Sequence, residues 1–449
     1  MVKKTCRLAS LKRRRQRPSC KAATLNNIFA ALRRALKNSP EKLRAGAPKT
    51  RNLKLTAASN RQRRCRSIKA KPLFFSLLLL LCLVIISGCW DERDLEKRAM
   101  VVAIGIDKGK KYPLKVSVEI PLPKNLGNGS GSNQSQGGGK SYKVISTEAN
   151  SLAQALVDLQ WKAEQTLFFG DLRELILSEP LVKKPFPSLF DAFSRMAVIR
   201  KSQIWPMIIK GESAEKFLKT FTPPEEQIPK IYLRGMILSD ENIQYIPKNT
   251  LANVVMDRIN STKEPFMLVI KQVNKSNVKI VGIGAFKGGS NTHLAGFLNI
   301  YDMAQWQRAA LEEDAGEMFV PLAKGKQMTL LPSKIKRKHH ISFHDHQLKD
   351  VIDIYVDGEV IETTPKIDLK NIKKRNAAEK RVEYVMEKRS DRMVHKLQRF
   401  NSDILDIRTM VRSYYPSMYN KIDWKTAFKQ ADITVRYHVS IKRVGLETS

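Results

Sequence analysis

Residues 368–414 read DLKNIKKRNAAEKRVEYVMEKRSDRMVHKLQRFNSDILDIRTMVRSY. Apolar side chains recur at Ala378, Val382, Val385, Met393, Leu397, Phe400, Ile404, Ile407 and Val411, mostly three or four positions apart. That spacing lines one face of an α-helix and predicts a helix of roughly 40 residues. Asp368 is placed to cap it, and Tyr414-Tyr415-Pro416 stops it. On both sides the period changes to two. Ile433, Val435, Tyr437, Val439 and Ile441 alternate with Thr434, Arg436, His438, Ser440 and Lys442. This is a strand with one wet face, of the kind antiparallel sheets use. Gln327–Phe343 and Asp350–Thr363 are also strand-rich. The expectation for this half is α+β: an antiparallel sheet carrying one long helix.

Upstream, strands and helices alternate. Ala99–Asp107 reads as a buried strand, and Tyr112–Ile120 alternates with Leu114, Val116, Val118 and Ile120 on one face. Asn150 or Ser151 caps a helix reaching about Thr166. Strands follow at Leu172–Leu177 and Gln203–Ile209, with helices around Leu189–Met196 and Ser213–Lys219. Thr222-Pro223-Pro224 interrupts the chain and offers a division near residue 222. Met267–Val273 and Val278–Phe286 form a hairpin, and Gly288-Gly289-Ser290-Asn291 makes a further turn in the same sheet. The expected fold is therefore α+β and multidomain. A mixed α/β N-terminal part covers 89–286, and a C-terminal part covers 287–449.

The net charge of +37 comes from 80 Lys and Arg against 43 Asp and Glu over 449 residues. It is unevenly spread. Residues 1–71 hold 23 basic residues and one acid, Glu41. All five cysteines, Cys6, Cys20, Cys65, Cys82 and Cys89, lie in the first 89 residues. The body can contain no disulfide framework and no cysteine-based metal site.

Leu73–Ile86 is apolar except for Ser76, and follows a basic segment at Arg61–Lys71. A run of 14 residues suits a signal-peptide core better than a membrane span. The positive flank stays in the cytoplasm, so the chain beyond is exported. The run leaves through Ile86-Ser87-Gly88-Cys89, which resembles the lipobox of bacterial lipoproteins. Small residues fit the peptidase beside the scissile bond after Gly88. The Cys89 thiol forms a thioether to diacylglycerol, and two acyl chains suffice for stable anchoring. Residues 1–71 thus read as a basic extension plus signal n-region, and 72–88 as signal core and lipobox. The extension exceeds an ordinary signal peptide, so it is read first as an over-long start, with the true start near residues 50–68. No Met stands between Met1 and Met100, so that start uses another codon, at a position such as Leu53 or Leu55. A cytoplasmic tail and an organelle transit peptide are the alternatives.

Catalytic signatures are missing. No HExxH, GxSxG, Walker A or GxGxxG pattern occurs. The Gly/Ser-rich stretch Asn125–Lys140 ends in Gly139-Lys140-Ser141, but strand-like residues follow, so it reads as a loop. His339, His340, His344 and His346 crowd around Asp345. On a strand, His340 and His344 share a face about 13 Å apart, too far for one ion. Only His344 and His346 could chelate, and a solvated strand end accounts for the cluster as well. No metal and no cofactor is assigned. The basic stripe Lys373-Lys374-Arg375 on an exported domain reads as a solvated face, not a nucleic-acid surface.

Ser87-Gly88-Cys89-Trp90-Asp91-Glu92-Arg93-Asp94-Leu95-Glu96, then Val101–Asp107 ending in Gly105-Ile106-Asp107, resembles the opening of the Ger(x)C family of spore germination lipoproteins. Asp94 stands where that family usually has Glu. Ile422-Asp423-Trp424 through Val444-Gly445 resembles the family's ending. The resemblance covers 89–449. The extension 1–60 and the loop 127–139 have no counterpart in it. It implies a non-enzymatic subunit of a nutrient germinant receptor, lipid-anchored on the outer face of the cytoplasmic membrane that becomes the spore inner membrane. It also implies A-type and B-type membrane subunits as partners, with Cys89 as the functional residue. The alternative is an exported solute-binding lipoprotein that captures a small ligand directly. That would need a two-lobed α/β architecture.

Overall fold

The computed structural model describes residues 97–122, 140–323, 325–344, 347–364 and 367–443. Residues 91–449 form one compact unit. A short strand β1 (Arg98–Met100) pairs in parallel with β5 (Thr166–Phe168). The main sheet contains β2 (Ala103–Lys108), β3 (Leu114–Pro121), β4 (Tyr142–Ala149), β6 (Glu174–Ser178), β7 (Trp205–Ile209), β8 (Phe266–Gln272), β9 (Val278–Lys287) and β10 (His293–Asn299). Its order is β10-β9-β8-β7-β6-β2-β3-β4. The centre, β8-β7-β6-β2, is parallel, and antiparallel strands flank it on both sides. The parallel strands β6 and β7 are buried along their whole length, as parallel strands covered on both faces must be.

Helices cover both faces. Helix α1 (Leu152–Gln160), α2 (Pro187–Arg195), α3 (Ala214–Thr220), α4 (Pro229–Asn242) and α5 (Leu251–Ile259) follow in chain order. Alternate residues of β2 part company: Ile104 and Ile106 join the core under α1, α2 and α5, while Ala103 joins the one under α3 and α4. Ser151 caps α1 by accepting the Gln154 amide, and Ser213 caps α3 by accepting that of Lys216. The hairpin at Asn274–Asn277 forms as the sequence predicts. The next strand, β10, remains in this sheet and extends it to Asn299.

The second sheet has the order β11-β12-β13-β14, with β11 (Met318–Ala323), β12 (Lys326–His344), β13 (Gln347–Thr364) and β14 (Asp432–Arg443). Helix α6 (Ile300–Ala310) packs against both sheets and against the long helix α7 (Ile372–Phe400). One buried cluster therefore runs from Ala103 and Met207 through Trp306 to Val382, Leu397 and Ile441.

The expectations for the two ends of the long helix, and then for the last strand, are corrected. The long helix does not reach Tyr414. It ends at Phe400, where Asn401 takes the left-handed conformation (φ 50°, ψ 44°). A bend follows, and α8 (Ile407–Tyr414) restarts with Asp403 accepting the Ile407 and Arg408 amides. Ile404, Ile407 and Val411 are still buried, so the apolar stripe is right while the single helix is not. The N-cap is Asn371, which accepts from Lys373 and Lys374, not Asp368.

The last correction concerns β14. It alternates as expected but pairs with β13 in parallel, so the sheet is mixed and not antiparallel. Helix α7 carries the chain back along β13, making a β-α-β crossover, and a crossover returns the next strand in the same direction. One face of this edge strand remains wet because helices cover only the other.

Candidate functional site

Cys89, Gly88, Ser87 and Ile86 lie outside the described residues, as do Arg61–Lys71, the apolar run 73–86 and the loop 127–139. Among the described residues no helix is long and apolar enough to cross a membrane.

The Gly105-Ile106-Asp107 triplet is described, and its role is positional. A Cβ on Gly105 would stand 2.9 Å from Leu218 Cδ1 and 3.1 Å from Ala214 Cβ. The missing side chain lets α3 lie directly on β2. Two residues on, Asp107 is 5% exposed and accepts the Ala214 amide at 2.8 Å and the Glu215 amide at 2.9 Å. The carboxylate satisfies two free donors and meets the positive end of the helix dipole. The triplet is thus a clamp that fixes one helix. Its partners lie 107 residues on, so no local sequence pattern reports them. Asp107→Ala should cost about 2 kcal/mol, at the upper end for a lost helix cap because the amides are buried. An unchanged melting temperature would show that those amides find other acceptors.

A cleft of about 530 Å³ opens at the carboxyl ends of β2, β6 and β7, lined by Asp107, Ser178, Lys183, Glu212 and Ser213. Open α/β sheets hold ligands at this position. Here the charges meet one another. Asp107 is occupied by α3, Lys183 pairs with Glu179 at 2.7 Å, and Lys216 pairs with Glu212 at 3.8 Å. Beside it, burial opposes ionisation of Glu215, but hydrogen bonds from Lys115 and Lys219 hold its carboxyl down at about 2.

The histidines separate. His339 faces inward and bonds Asp350 through Nδ1 at 2.7 Å. His340 faces outward, where Asp353 lies between His340 Nε2 and His438 Nε2, each at 3.0 Å. His344 is exposed, and Asp345 and His346 lie outside the described residues. Among the described residues no group of three or more His, Cys, Asp or Glu is placed to hold a metal ion.

Similarity to known proteins follows this architecture. The family model described as spore germination protein N-terminal domain matches residues 91–272. The model described as spore germination B3/GerAC like, C-terminal, matches 281–445. Spore germination protein YndF of Bacillus subtilis (strain 168) is 25% identical over 82% of this chain and 96% of its own length. Spore germination protein KC of the same organism is 23% identical over 83% and 96%. Spore germination protein B3, also from that organism, is 24% identical over 83% and 96%. The crystal structure of the GerBC protein superimposes with a TM-score of 0.47 at 18% identity, covering 75% of this chain and 96% of that one. The two family models follow each other along nearly all of the compact unit, and the chain belongs to the Ger(x)C family of spore germination proteins.

Proposed function

We propose that this chain is the lipid-anchored, non-catalytic subunit of a nutrient germinant receptor. It is held on the outer face of the cytoplasmic membrane, the spore inner membrane, and works there with an A-type and a B-type membrane subunit. The observation that carries this reading is the pair of family matches at 91–272 and 281–445, starting two residues after Cys89. The leader adds to it. Gly88 is the cleavage position, Ile86 and Ser87 complete the lipobox, and Cys89 begins the mature protein and takes the diacylglycerol. Residues 89–286 and 287–449 are its two germination-protein parts. A non-catalytic role accords with the clamp at Asp107, where polar groups of the kind used in catalysis hold a helix instead.

Cys89→Ala tests the reading. The variant should lose the lipid, and the amount retained in spore membranes should fall by about tenfold or more, since two acyl chains carry the anchoring. Germination on nutrients should fall with it, while urea unfolding of the chain stays as in the wild type. Normal retention together with normal nutrient germination would refute the anchor.

A further inference from the structure

A second cleft, of about 670 Å³, lies where α6 and α7 meet the edge of the second sheet. Its size is that of a small-ligand pocket. Arg389, Arg392 and Lys396 form its floor, on one stripe of α7 at spacings of three and four. Lys396 is neutralised by an ion pair with Asp302. The two arginines are not. Among the described residues neither guanidinium has a hydrogen-bond or ion-pair partner, although Arg389 is only partly exposed. Burial pushes the Arg389 guanidinium down from its ordinary value, and the neighbouring Arg392 charge pushes the same way. Arg392 is exposed, and its charge repels that of the half-buried Arg389, a repulsion that an anion seated between them relieves.

The rest of the cleft fits an anion with an apolar body. Tyr301, 64% exposed, and Phe319, 45% exposed, supply aromatic surface on its walls. The N-terminal end of the eleven-residue helix α6, capped by Asn299, opens on the same space and adds positive potential. Polar groups in the first cleft are consumed internally, whereas here the forks of Arg389 and Arg392 remain available for bidentate bonds to an oxyanion.

We propose that this cleft binds a small organic oxyanion, a carboxylate or phosphate on a planar apolar body, between Arg389 and Arg392. Binding there is independent of whether Cys89 carries lipid, so its failure would leave the anchored-subunit reading untouched.

Calorimetry on the detergent-solubilised full chain tests it, with benzoate, phenyl phosphate, inorganic phosphate and uncharged benzamide as probes. Benzoate or phenyl phosphate should give saturable heat and identifies the oxyanion preferred. Benzamide should give none, and inorganic phosphate should bind more weakly than phenyl phosphate. Arg389→Gln and Arg392→Gln should each weaken binding by about tenfold or more, since each removes charge-assisted bonds. The melting temperature of Arg389→Gln without ligand should stay level or rise, because an uncompensated charge is removed. A purely structural arginine would lower it. Absence of saturable heat with every anion, equal binding of benzamide, phosphate binding as tightly as phenyl phosphate, or unchanged affinity in both variants would each overturn the proposal.

Discussion

Arg308→Met should destabilise the protein by about 2–4 kcal/mol, the sum expected when charge-assisted bonds to buried carbonyls are lost. Arg308 is 1% exposed, on the inner side of α6. Its Nε donates to the Asp314 carbonyl at 3.0 Å, and one Nη donates to those of Ala315 and Gly316 at 3.1 and 2.9 Å. The loop it holds contains positive φ at Glu312, Ala315 and Gly316 (60°, 53° and 70°), so two non-glycine residues are kept in a conformation they disfavour. Burial opposes this arrangement, since it depresses the Arg308 charge. Methionine relieves that penalty and fills part of the space. It also leaves three acceptors with no donor and frees the strained loop, and these losses exceed the relief. The loop joins α6 to β11, so the damage should reach the junction of the two sheets. The midpoint of urea unfolding measures it, and an unshifted midpoint would end the claim.

Stability should also fall as pH rises above about 4, the unfolded carboxyl range, through the acids at the helix break. Asp403 is 5% exposed and caps α8, while its own amide donates to Glu264 at 2.6 Å. Glu264 pairs with Lys287 at 3.0 Å. Burial drives Asp403 well above the usual carboxylate range, with Glu264 and Asp406 adding to it against the pull of the Arg408 and Ile407 amides. Burial likewise raises Glu264, against Lys287. A raised folded pKa means that the folded state holds the proton more tightly. The contribution is full below the unfolded pKa and is lost as pH climbs through the folded one. Asp403→Asn removes the charge and keeps one of the two acceptor oxygens that the Ile407 and Arg408 amides use. Its unfolding free energy should decline less with pH than that of the wild type, whatever the loss of one cap bond costs at every pH. Asp403→Ala removes the cap as well and should lose about 1–2 kcal/mol. Parallel pH curves for wild type and Asp403→Asn would refute the assignment.

Much of the architecture is legible from spacing alone. Val435 through Ile441 alternate in burial as their pattern predicts, and the stripe from Ala378 to Val411 is buried except at the partly buried Phe400. The break at Asn401 had a local signal, Asn401-Ser402-Asp403, a run of residues suited to caps, but the unbroken apolar stripe masked it. The roles of Gly105 and Asp107 had none, because α3 stands more than a hundred residues away.

Sequence by itself therefore determined which faces of the strands and helices are buried and, to within a few residues, where most of those elements lie. Periodicity records burial, and burial is the same for a strand run in either direction or a helix broken once. Only the tertiary structure decided that β14 runs parallel to β13, that Asp107 holds a helix more than a hundred residues away, and that Arg389 and Arg392 face one cleft without a partner among the described residues. Those outcomes depend on pairings between distant segments, which fix strand direction and the local cost of a buried charge.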